Sequence, residues 1–412
     1  MRVDDVYLAG VGTYLPPVVT TEHAVQRSWY DRADREASGM EAVMVAGDTP
    51  APEMAARAAL VALHRSEHEP DDFGALLHSD SYHQGPDGWS APHYVLRRTL
   101  ARPITALEVR QGCLGMIASL EMAAHRLIAN REKDAVLLTA GDNFSTPLVD
   151  RWRASRMFLL ADGGAAAVVS RRGGFARVLA FGTVSNPGME ELHRGGEVLF
   201  PPGITVGRSL NFEERSDYWR RQWAEGNAPP MGHFGECVAE AADRTLEEAG
   251  ISMEKVTRVC HTGFSRGSLE AMFLDPLEID VDRGLWDFTR GAGHAGAADP
   301  FIGLEHLWTS GQVAPGDHVL LIGSAPGMEA GCAVVEIVAP YEPRNHEPRN
   351  HEPESHELRS HEPQSHELRS HELQSHELRS HELQSHELQN EHHEPQNEHH
   401  EPGNHEPENG GR

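Results

Sequence analysis

The chain has 412 residues, enough for two or three ordinary domains, and a formal net charge of −27. An acidic protein repels phosphate backbones, so this charge argues against nucleic-acid binding. Four cysteines without a CxxC pair predict neither a disulfide framework nor a zinc site. No apolar stretch approaches the roughly 20 residues of a membrane span, and the amino-terminal segment does not resemble a signal peptide. We therefore expect a cytoplasmic protein without metal or cofactor.

Up to about residue 340, short apolar segments alternate with helix-forming segments. The predicted elements, in chain order, are a strand turning near Pro16, a helix at 52–64, a strand at 73–79, a strand ending before Gly112, a helix to about Asn130, strands at 135–142 and 164–170, a helix at 237–249, a strand at 256–262, a helix at 300–310, and strands at 318–323 and 333–337. Several strands are apolar throughout, which favours a largely parallel sheet covered by helices on both faces.

The second half of this pattern repeats the first. The helix at 52–64 and the strand at 73–79 match the helix at 237–249 and the strand at 256–262. Asp134-Ala-Val-Leu-Leu-Thr-Ala-Gly likewise resembles Asp317-His-Val-Leu-Leu-Ile-Gly. Repetition of a whole unit is a stronger signal than any single motif. It predicts a duplicated α/β fold with halves at 1–173 and 174–340.

Two segments fall outside the repeat. Residues 192–231 contain Trp219, Trp223 and several arginines, and so long an insertion is typical of a lid or binding wall. Residues 341–412 form a tail built largely of five-residue units and containing 14 histidines. A five-residue period cannot keep the leucines on one face of a helix or strand, so we expect this tail to be disordered. Weak metal binding by its histidines and the absence of any function both stay open.

Three residues lie where the α/β pattern breaks. Cys113 stands between a strand and the first turn of a helix, where unpaired N–H groups and the helix dipole stabilise a thiolate. A buried structural cysteine is the alternative at this point. His261 ends the matching strand of the second half, and His294 lies in a glycine-rich segment. A helix-terminal cysteine with two histidines indicates thioester chemistry, with a nucleophile and two donors to an oxyanion.

These segments resemble a known family. The sequence around Cys113, Leu160-Ala-Asp-Gly-Gly-Ala, the His261 strand, the glycine-rich segment 291–298 and Gly323-Ser-Ala-Pro-Gly-Met-Glu-Ala-Gly are similar to motifs of the β-ketoacyl-acyl-carrier-protein synthase III branch of the thiolase superfamily. The resemblance covers about residues 1–338. It implies a duplicated five-layer α/β/α/β/α fold, a homodimer, Cys113 as the acyl-accepting nucleophile and His261 as the histidine of the family's Cys-His-Asn triad.

The chain departs from the family pattern near the predicted catalytic centre. His294 stands where relatives have the asparagine of the triad, although a histidine can still donate to a thioester carbonyl. Pro326 has no N–H, so the backbone donors to an oxyanion are predicted at Cys113 and Gly327.

A further departure concerns the acyl donor. The element that helps relatives hold coenzyme A appears here as Ser38-Gly-Met-Glu-Ala-Val, without its arginine. This departure favours an acyl carrier protein over an acyl-coenzyme A thioester as the expected donor, and both stay open. Arg151, Arg153 and Arg156 are candidates for docking an acidic carrier or a phosphopantetheine phosphate, with solvation of a helix end as the alternative.

The resemblance implies an acyltransferase that loads an acyl group on Cys113 and passes it to a second substrate. With malonyl-carrier protein as acceptor, the reaction is the condensation of a 3-oxoacyl-carrier-protein synthase III, in fatty acid or polyketide-type secondary metabolism. With a hydroxyl of a sugar or natural product as acceptor, one histidine acts as general base and an ester forms. An inactive scaffold with a metal-binding tail is the alternative from another class.

Overall fold

The computed structural model describes residues 1–200, 209–227 and 233–343, which lie in one compact unit. The predicted tail, from residue 344 onward, and two parts of the predicted insertion, 201–208 and 228–232, lie outside the described residues. Within the described ranges, no helix is long and apolar enough to cross a membrane.

Eleven strands and ten helices are assigned in the described residues. The strands are β1 (Tyr7–Tyr14), β2 (Val18–Thr20), β3 (Ala42–Met44), β4 (Phe73–Ser79), β5 (Thr105–Val109), β6 (Ala135–Asp142), β7 (Gly163–Ser170), β8 (Ala176–Ser185), β9 (Val256–Cys260), β10 (His318–Ala325) and β11 (Glu329–Ile337). The helices are α1 (Thr21–Gln26), α2 (Arg32–Ser38), α3 (Ala51–Ser66), α4 (Ala91–Arg98), α5 (Gly115–Ala129), α6 (Phe212–Ala224), α7 (His233–Ala249), α8 (Arg266–Leu269), α9 (Trp286–Thr289) and α10 (Asp299–Thr309).

Nine strands form one sheet in the order β5-β4-β6-β7-β1-β8-β11-β10-β9. The order is nearly symmetric about the junction of β1 with β8, where Tyr7 and Leu8 pair with Arg177 and Ala176. On either side of that junction, β7, β6 and β4 correspond to β11, β10 and β9. Strand β5 has no counterpart in the second half of this described sheet.

The sheet is mixed, so the prediction of a largely parallel sheet was wrong. Strand β4 pairs in parallel with β5 and β6, and β9 pairs in parallel with β10. The pairs at the centre of the sheet are antiparallel. Central strands buried on both faces are apolar throughout in either arrangement, and the apolar runs therefore could not distinguish the two.

The helices lie in three layers around the sheet. Helix α3 packs on β1, β6 and β7, and α7 packs on β8 and β11. Helices α5 and α10 contact strands of both halves, so they form the middle layer. With the two halves of the sheet counted as separate β layers, the three helix layers give the five-layer α/β/α/β/α arrangement of the thiolase-like fold. Helices α5 and α10 begin just after Cys113 and His294 respectively, which brings both residues toward the middle of the molecule.

The body of the protein extends beyond residue 340, where the predicted tail was placed. The Tyr341 ring meets the Trp308 ring edge-on with centroids 5.0 Å apart, and the Arg65 guanidinium lies 5.2 Å from the Tyr341 ring centre. Trp308 Nε1 donates a hydrogen bond to the Ala339 carbonyl. Tyr341 thus anchors the chain to α10, so residues 341–343, predicted as the start of the tail, lie in the same compact unit as the body.

We expect a chain ending at Pro343 to melt at the same temperature as the full-length protein, because the tail has no periodicity able to bury a face. A chain ending at Pro340 loses the Tyr341 ring contact, worth about 1 kcal/mol, and should melt about 1–3 °C lower. Thermal melts of both truncations check this. Equal melting temperatures for the two would contradict the anchoring role of Tyr341.

Candidate active site

Cys113 lies in a tight turn between β5 and α5. Residues Gly112–Leu114 form a 3₁₀ turn, and Gly112 has a φ of +52°, a conformation that favours glycine. A Cβ on Gly112 would come within 3.2 Å of the Pro326 ring, so the turn between β10 and β11 lies against this segment. Cys113 is half-buried, directly before the first turn of a 15-residue helix. This placement matches the predicted helix N-terminus.

The other three cysteines have different environments. Cys237, Cys260 and Cys332 are buried, and burial raises the pKa of each thiol. A thiol with a raised pKa is a poor source of thiolate near neutral pH. Cys113 is therefore the best-placed nucleophile of the four.

His294 is the direct partner of Cys113. The Cys113 Sγ lies 3.0 Å from the His294 Nε2, and His294 is 1% exposed. Its backbone is fixed to the segment before β7, because its N–H donates to the Leu159 carbonyl and its carbonyl accepts from the Ala161 N–H. The Phe158 and Phe264 rings stand edge-on to the imidazole at 5.1 and 5.6 Å.

Asp299 orients the imidazole from the opposite side. The His294 Nδ1–H donates to Asp299 Oδ2 at 2.6 Å. The Asp299 carboxylate also accepts from the Gly263 N–H at 2.8 Å and from the Ala295 N–H at 2.7 Å. Asp299 is the first residue of α10, where the helix dipole stabilises a negative charge. Cys113, His294 and Asp299 therefore form a nucleophile–base–carboxylate constellation.

The charges of this constellation favour a proton on His294. Burial lowers the pKa of His294, but the negative charges of Cys113 and Asp299 and their hydrogen bonds outweigh it. The net effect is a pKa well above the ordinary value of 6.5. An imidazolium therefore lies between the sulfur and the carboxylate, as in enzymes with a thiolate nucleophile.

His261, predicted to share the site as the triad histidine, has both ring nitrogens occupied by backbone groups. Its Nδ1–H donates to the Thr262 carbonyl at 2.8 Å, and its Nε2 accepts from the Leu285 N–H at 2.9 Å. Burial is the main cause that lowers the pKa of His261, to about 4. The ring is thus a neutral imidazole that holds the segment around Leu285 against the end of β9. In this arrangement it has no N–H free for a thioester.

The three predicted docking arginines have different surroundings. Arg151 is 6% exposed, and its guanidinium bonds both oxygens of the buried Asp162 at 2.9 Å. The charge of Arg151 is therefore paired inside the protein, which opposes its predicted role in docking, and that role stays a prediction. Arg153 and Arg156 are exposed and make ion pairs at the surface, with Asp150 and Asp34 respectively. These two remain available to a partner.

Gly327, the predicted backbone donor, lies in the turn between β10 and β11 that packs on Gly112 through Pro326. Its role as an oxyanion donor stays a prediction, together with that of the Cys113 N–H.

Asp299 is the site residue that the sequence analysis missed. It stands in an Asp-Pro pair at the start of α10, five residues after His294. An aspartate before proline at a helix start is also a common cap, so the pattern alone does not identify an orienting carboxylate. In the described residues, no group of three or more His, Cys, Asp or Glu side chains is arranged to hold a metal ion.

The pairing of Cys113 with His294 predicts how fast the thiol is alkylated. Asp299→Asn removes a charge that raises the pKa of His294, so less imidazolium supports the thiolate. We expect iodoacetamide to modify Cys113 about tenfold more slowly at pH 7, the change produced by losing about 1.4 kcal/mol of ion-pair stabilisation. Mass spectrometry of the Cys113 peptide gives the rates.

Two further variants control this measurement. Asp287→Asn alters an exposed aspartate, and His261→Gln alters the backbone-bound histidine. Both should leave the rate of Cys113 alkylation at pH 7 unchanged. A slowing in His261→Gln as large as that in Asp299→Asn would contradict the separation of His261 from the site.

Two family models match the chain. Residues 107–187 match 3-oxoacyl-[acyl-carrier-protein] synthase III, and residues 246–337 match the C-terminal part of the same enzyme family. A β-ketoacyl-[acyl-carrier-protein] synthase III of Streptomyces coelicolor is 26% identical over 342 residues, which cover 80% of this chain and 96% of the relative. The synthase III of Clostridium kluyveri is 21% identical over 340 residues, covering 82% of this chain and all of the relative.

Solved structures give the same result. The acyltransferase ChlB3 is 39% identical, with a TM-score of 0.77 over 82% of this chain and 99% of its own. The synthase III of Aquifex aeolicus, at 20% identity, shares the fold with a TM-score of 0.64 over 80% of this chain and 99% of its own. The protein therefore belongs to the β-ketoacyl-acyl-carrier-protein synthase III-like family.

Proposed function

We propose that this protein transfers an acyl group from a thioester through Cys113 to a hydroxyl acceptor. The observation that carries the proposal is the position of His294, whose Nε2 lies 3.0 Å from the Cys113 Sγ and whose Nδ1–H is bonded to Asp299. A histidine polarised by a carboxylate is a general base, which a hydroxyl acceptor requires. The 39% identity to the acyltransferase ChlB3 supports the same assignment.

In the first half-reaction, the Cys113 thiolate attacks the carbonyl carbon of the incoming thioester. The carbon–sulfur bond to the donor breaks, and the leaving thiolate takes the proton held on His294. The products are the acyl-enzyme and the free thiol of a carrier protein or coenzyme A. Backbone N–H groups of Cys113 and Gly327 are the proposed donors to the transient oxyanion.

In the second half-reaction, His294 changes its role from acid to base. Acylation removes the negative charge of Cys113, which is a main cause of the raised pKa of His294. The imidazole is therefore neutral when the acceptor arrives and can take its proton. The acceptor oxygen attacks the acyl carbon, Cys113 leaves as a thiolate and an ester is released. Asp299 keeps the ring oriented through both steps.

The geometry favours this reaction over condensation with malonyl-carrier protein. Condensation obtains its nucleophile by loss of carbon dioxide, and by the family resemblance it uses two side-chain donors beside the cysteine. Here one of the two predicted donors, His261, is bound to backbone groups on both nitrogens. Condensation remains the second candidate because the curated relatives are β-ketoacyl-carrier-protein synthases. An inactive scaffold is opposed by the intact contacts of Cys113 with His294 and Asp299.

We further propose a role in secondary metabolism, in the cytoplasm, and a homodimer. Strand β5 is an edge strand of the sheet, and Leu107 on it is 40% exposed. An exposed apolar edge strand tends to pair with another chain, and a second copy of β5 would complete the sheet.

The two acceptors can be distinguished with His294→Asn. An amide cannot take up a proton, so ester formation from a pre-formed acyl-enzyme to a panel of sugar and polyol hydroxyls should fall about 10²–10⁴-fold. Wild-type protein given malonyl-carrier protein should release no carbon dioxide above background. Release of labelled carbon dioxide by both wild type and His294→Asn would show condensation instead and overturn the proposal.

The exposed Arg153 and Arg156 predict that charge reversal changes the KM for an acyl carrier protein but not the KM for a small acyl donor. Reversing both charges (Arg153→Glu with Arg156→Glu) should raise the KM for an acyl carrier protein about tenfold or more, because the acidic carrier meets like charge. The KM for a small acyl-pantetheine should not change. Arg177→Glu is the matched control, since Arg177 also lies in an exposed ion pair, with Glu336. Equal effects on both donors would argue against carrier docking at this surface.

A further inference from the structure

Asp80 is a buried acidic residue, and one of its two carboxyl oxygens has no hydrogen-bond partner among the described residues. It directly follows β4 and is 1% exposed. Its Oδ2 is buried, with no donor in reach among the described residues. Leaving a buried polar group unpaired costs about 1–3 kcal/mol, more for a charged group. Such a residue therefore calls for an explanation.

The nearest charged neighbours of Asp80 satisfy only part of its carboxyl. The Glu108 side chain hydrogen-bonds Asp80, which requires a proton shared between the two carboxyls. Asp142 is itself satisfied, because it accepts from the Ser81 N–H at 2.9 Å and the Tyr82 N–H at 3.0 Å. Arg110 is exposed and acts on Asp80 only through its charge. The Asp80 Oδ2 is therefore left without a partner among the described residues.

Asp80 lies at the edge of the sheet that holds the reacting residues. Strands β4 and β5 are parallel neighbours with Ser79 opposite Val109, and Cys113 follows four residues after Val109. The first turn of α5 packs on the end of β4, since a Cβ on Gly115 would lie 2.8 Å from the Ser79 Cβ. The carboxyl ends of parallel strands are where such folds bind ligands.

Asp142, an acidic neighbour of Asp80, lies close to the loop that carries His294. Asp142 ends β6, and a Cβ on Gly296 would lie 2.3 Å from the Asp142 Oδ2. Gly296 is two residues beyond His294, whose charge lowers the pKa of Asp142. Asp80 therefore lies beside the end of β5, which leads to Cys113, and beside Asp142, which contacts the loop that carries His294.

We propose that Asp80 is a specificity-determining residue, and that the acyl group carried by Cys113 bears a hydroxyl that hydrogen-bonds the Asp80 carboxyl. This inference rests on acyl transfer through Cys113. A plain alkyl chain would leave the Asp80 Oδ2 unpaired, whereas a hydroxyl supplies both a donor and an acceptor. Sites built to bond a substrate hydroxyl reject analogues that lack it.

The protonation of Asp80 is consistent with this role. Burial raises its pKa to about 7, and the charges of Asp142 and Glu108 add to the effect while Arg110 opposes it. Near neutral pH the group therefore exists both as an acid and as a carboxylate. A hydroxyl can pair with either form, by accepting from the acid or by donating to the carboxylate.

The test compares acyl-pantetheines with and without a hydroxyl on the intact protein. Butyryl-pantetheine is compared with its 2-, 3- and 4-hydroxy analogues, and benzoyl-pantetheine with the three hydroxybenzoyl isomers, by mass spectrometry of acylated Cys113. We expect at least one hydroxy analogue to acylate wild-type protein about tenfold faster than its parent. In Asp80→Val this preference should fall below about twofold while the parent compounds keep their rates. Asp87→Asn, an exposed aspartate in the following loop, should retain the preference.

Thermal melts give a second measurement that is independent of the acyl group. Because valine removes a buried carboxyl that has an unpaired oxygen and two acidic neighbours, Asp80→Val should melt at or above the wild-type temperature at pH 8. A markedly lower melting temperature would show that Asp80 stabilises the fold, and would overturn the proposal. Equal rates for parents and hydroxy analogues, a preference that survives Asp80→Val, or a stronger preference for 3-aminobutyryl would also overturn it. Failure of every thioester to acylate Cys113 would instead refute the proposed function.

Discussion

The hydrogen bond between His294 and Asp299 is the interaction on which the catalytic centre depends. The Asp299 carboxylate collects N–H donors from Gly263, from Ala295 and from the His294 ring. It therefore joins the loop after β9 to the loop before α10 and fixes the tautomer of the base at the same time. Three hydrogen bonds compensate the burial of this charge. The nucleophile is then placed by a different helix, α5, which meets α10 in the middle layer of the fold.

The duplication of the fold is incomplete at one edge of the described sheet, where the second half has no counterpart of β5. Side chains hold the segment around Leu285 near the end of β9. Arg258 donates to the Gly284 carbonyl, and His261 accepts from the Leu285 N–H. Both ring nitrogens of His261 are thus bound to backbone groups, whereas the Cys113 sulfur lies beside His294, the position at which the chain departs from the family pattern.

The sequence predicted those features that depend on local pattern. The turn and helix around Cys113, the repeated α/β unit and the position of His294 in a glycine-rich loop follow from periodicity and composition. The orientation of a side chain depends on residues far along the chain. The contacts of His261 and Arg151 could therefore not be predicted, since Leu285 and Asp162, which occupy their polar atoms, are 24 and 11 residues away. Asp299 was missed because a helix cap and an orienting carboxylate have the same sequence pattern.

The distribution of charge gives an independent reason to prefer a neutral acceptor. Asp299, Asp142 and Asp80 are all buried around the strand ends, and His294 is the buried cation among them. Burial raises the pKa of Asp142 to about 7, as it does for Asp80, because ionised carboxyls are poorly solvated here. A malonyl group would bring a further carboxylate into this region before losing it as carbon dioxide. A hydroxyl brings no charge, and the neutral His294 of the proposed acyl-enzyme can accept its proton.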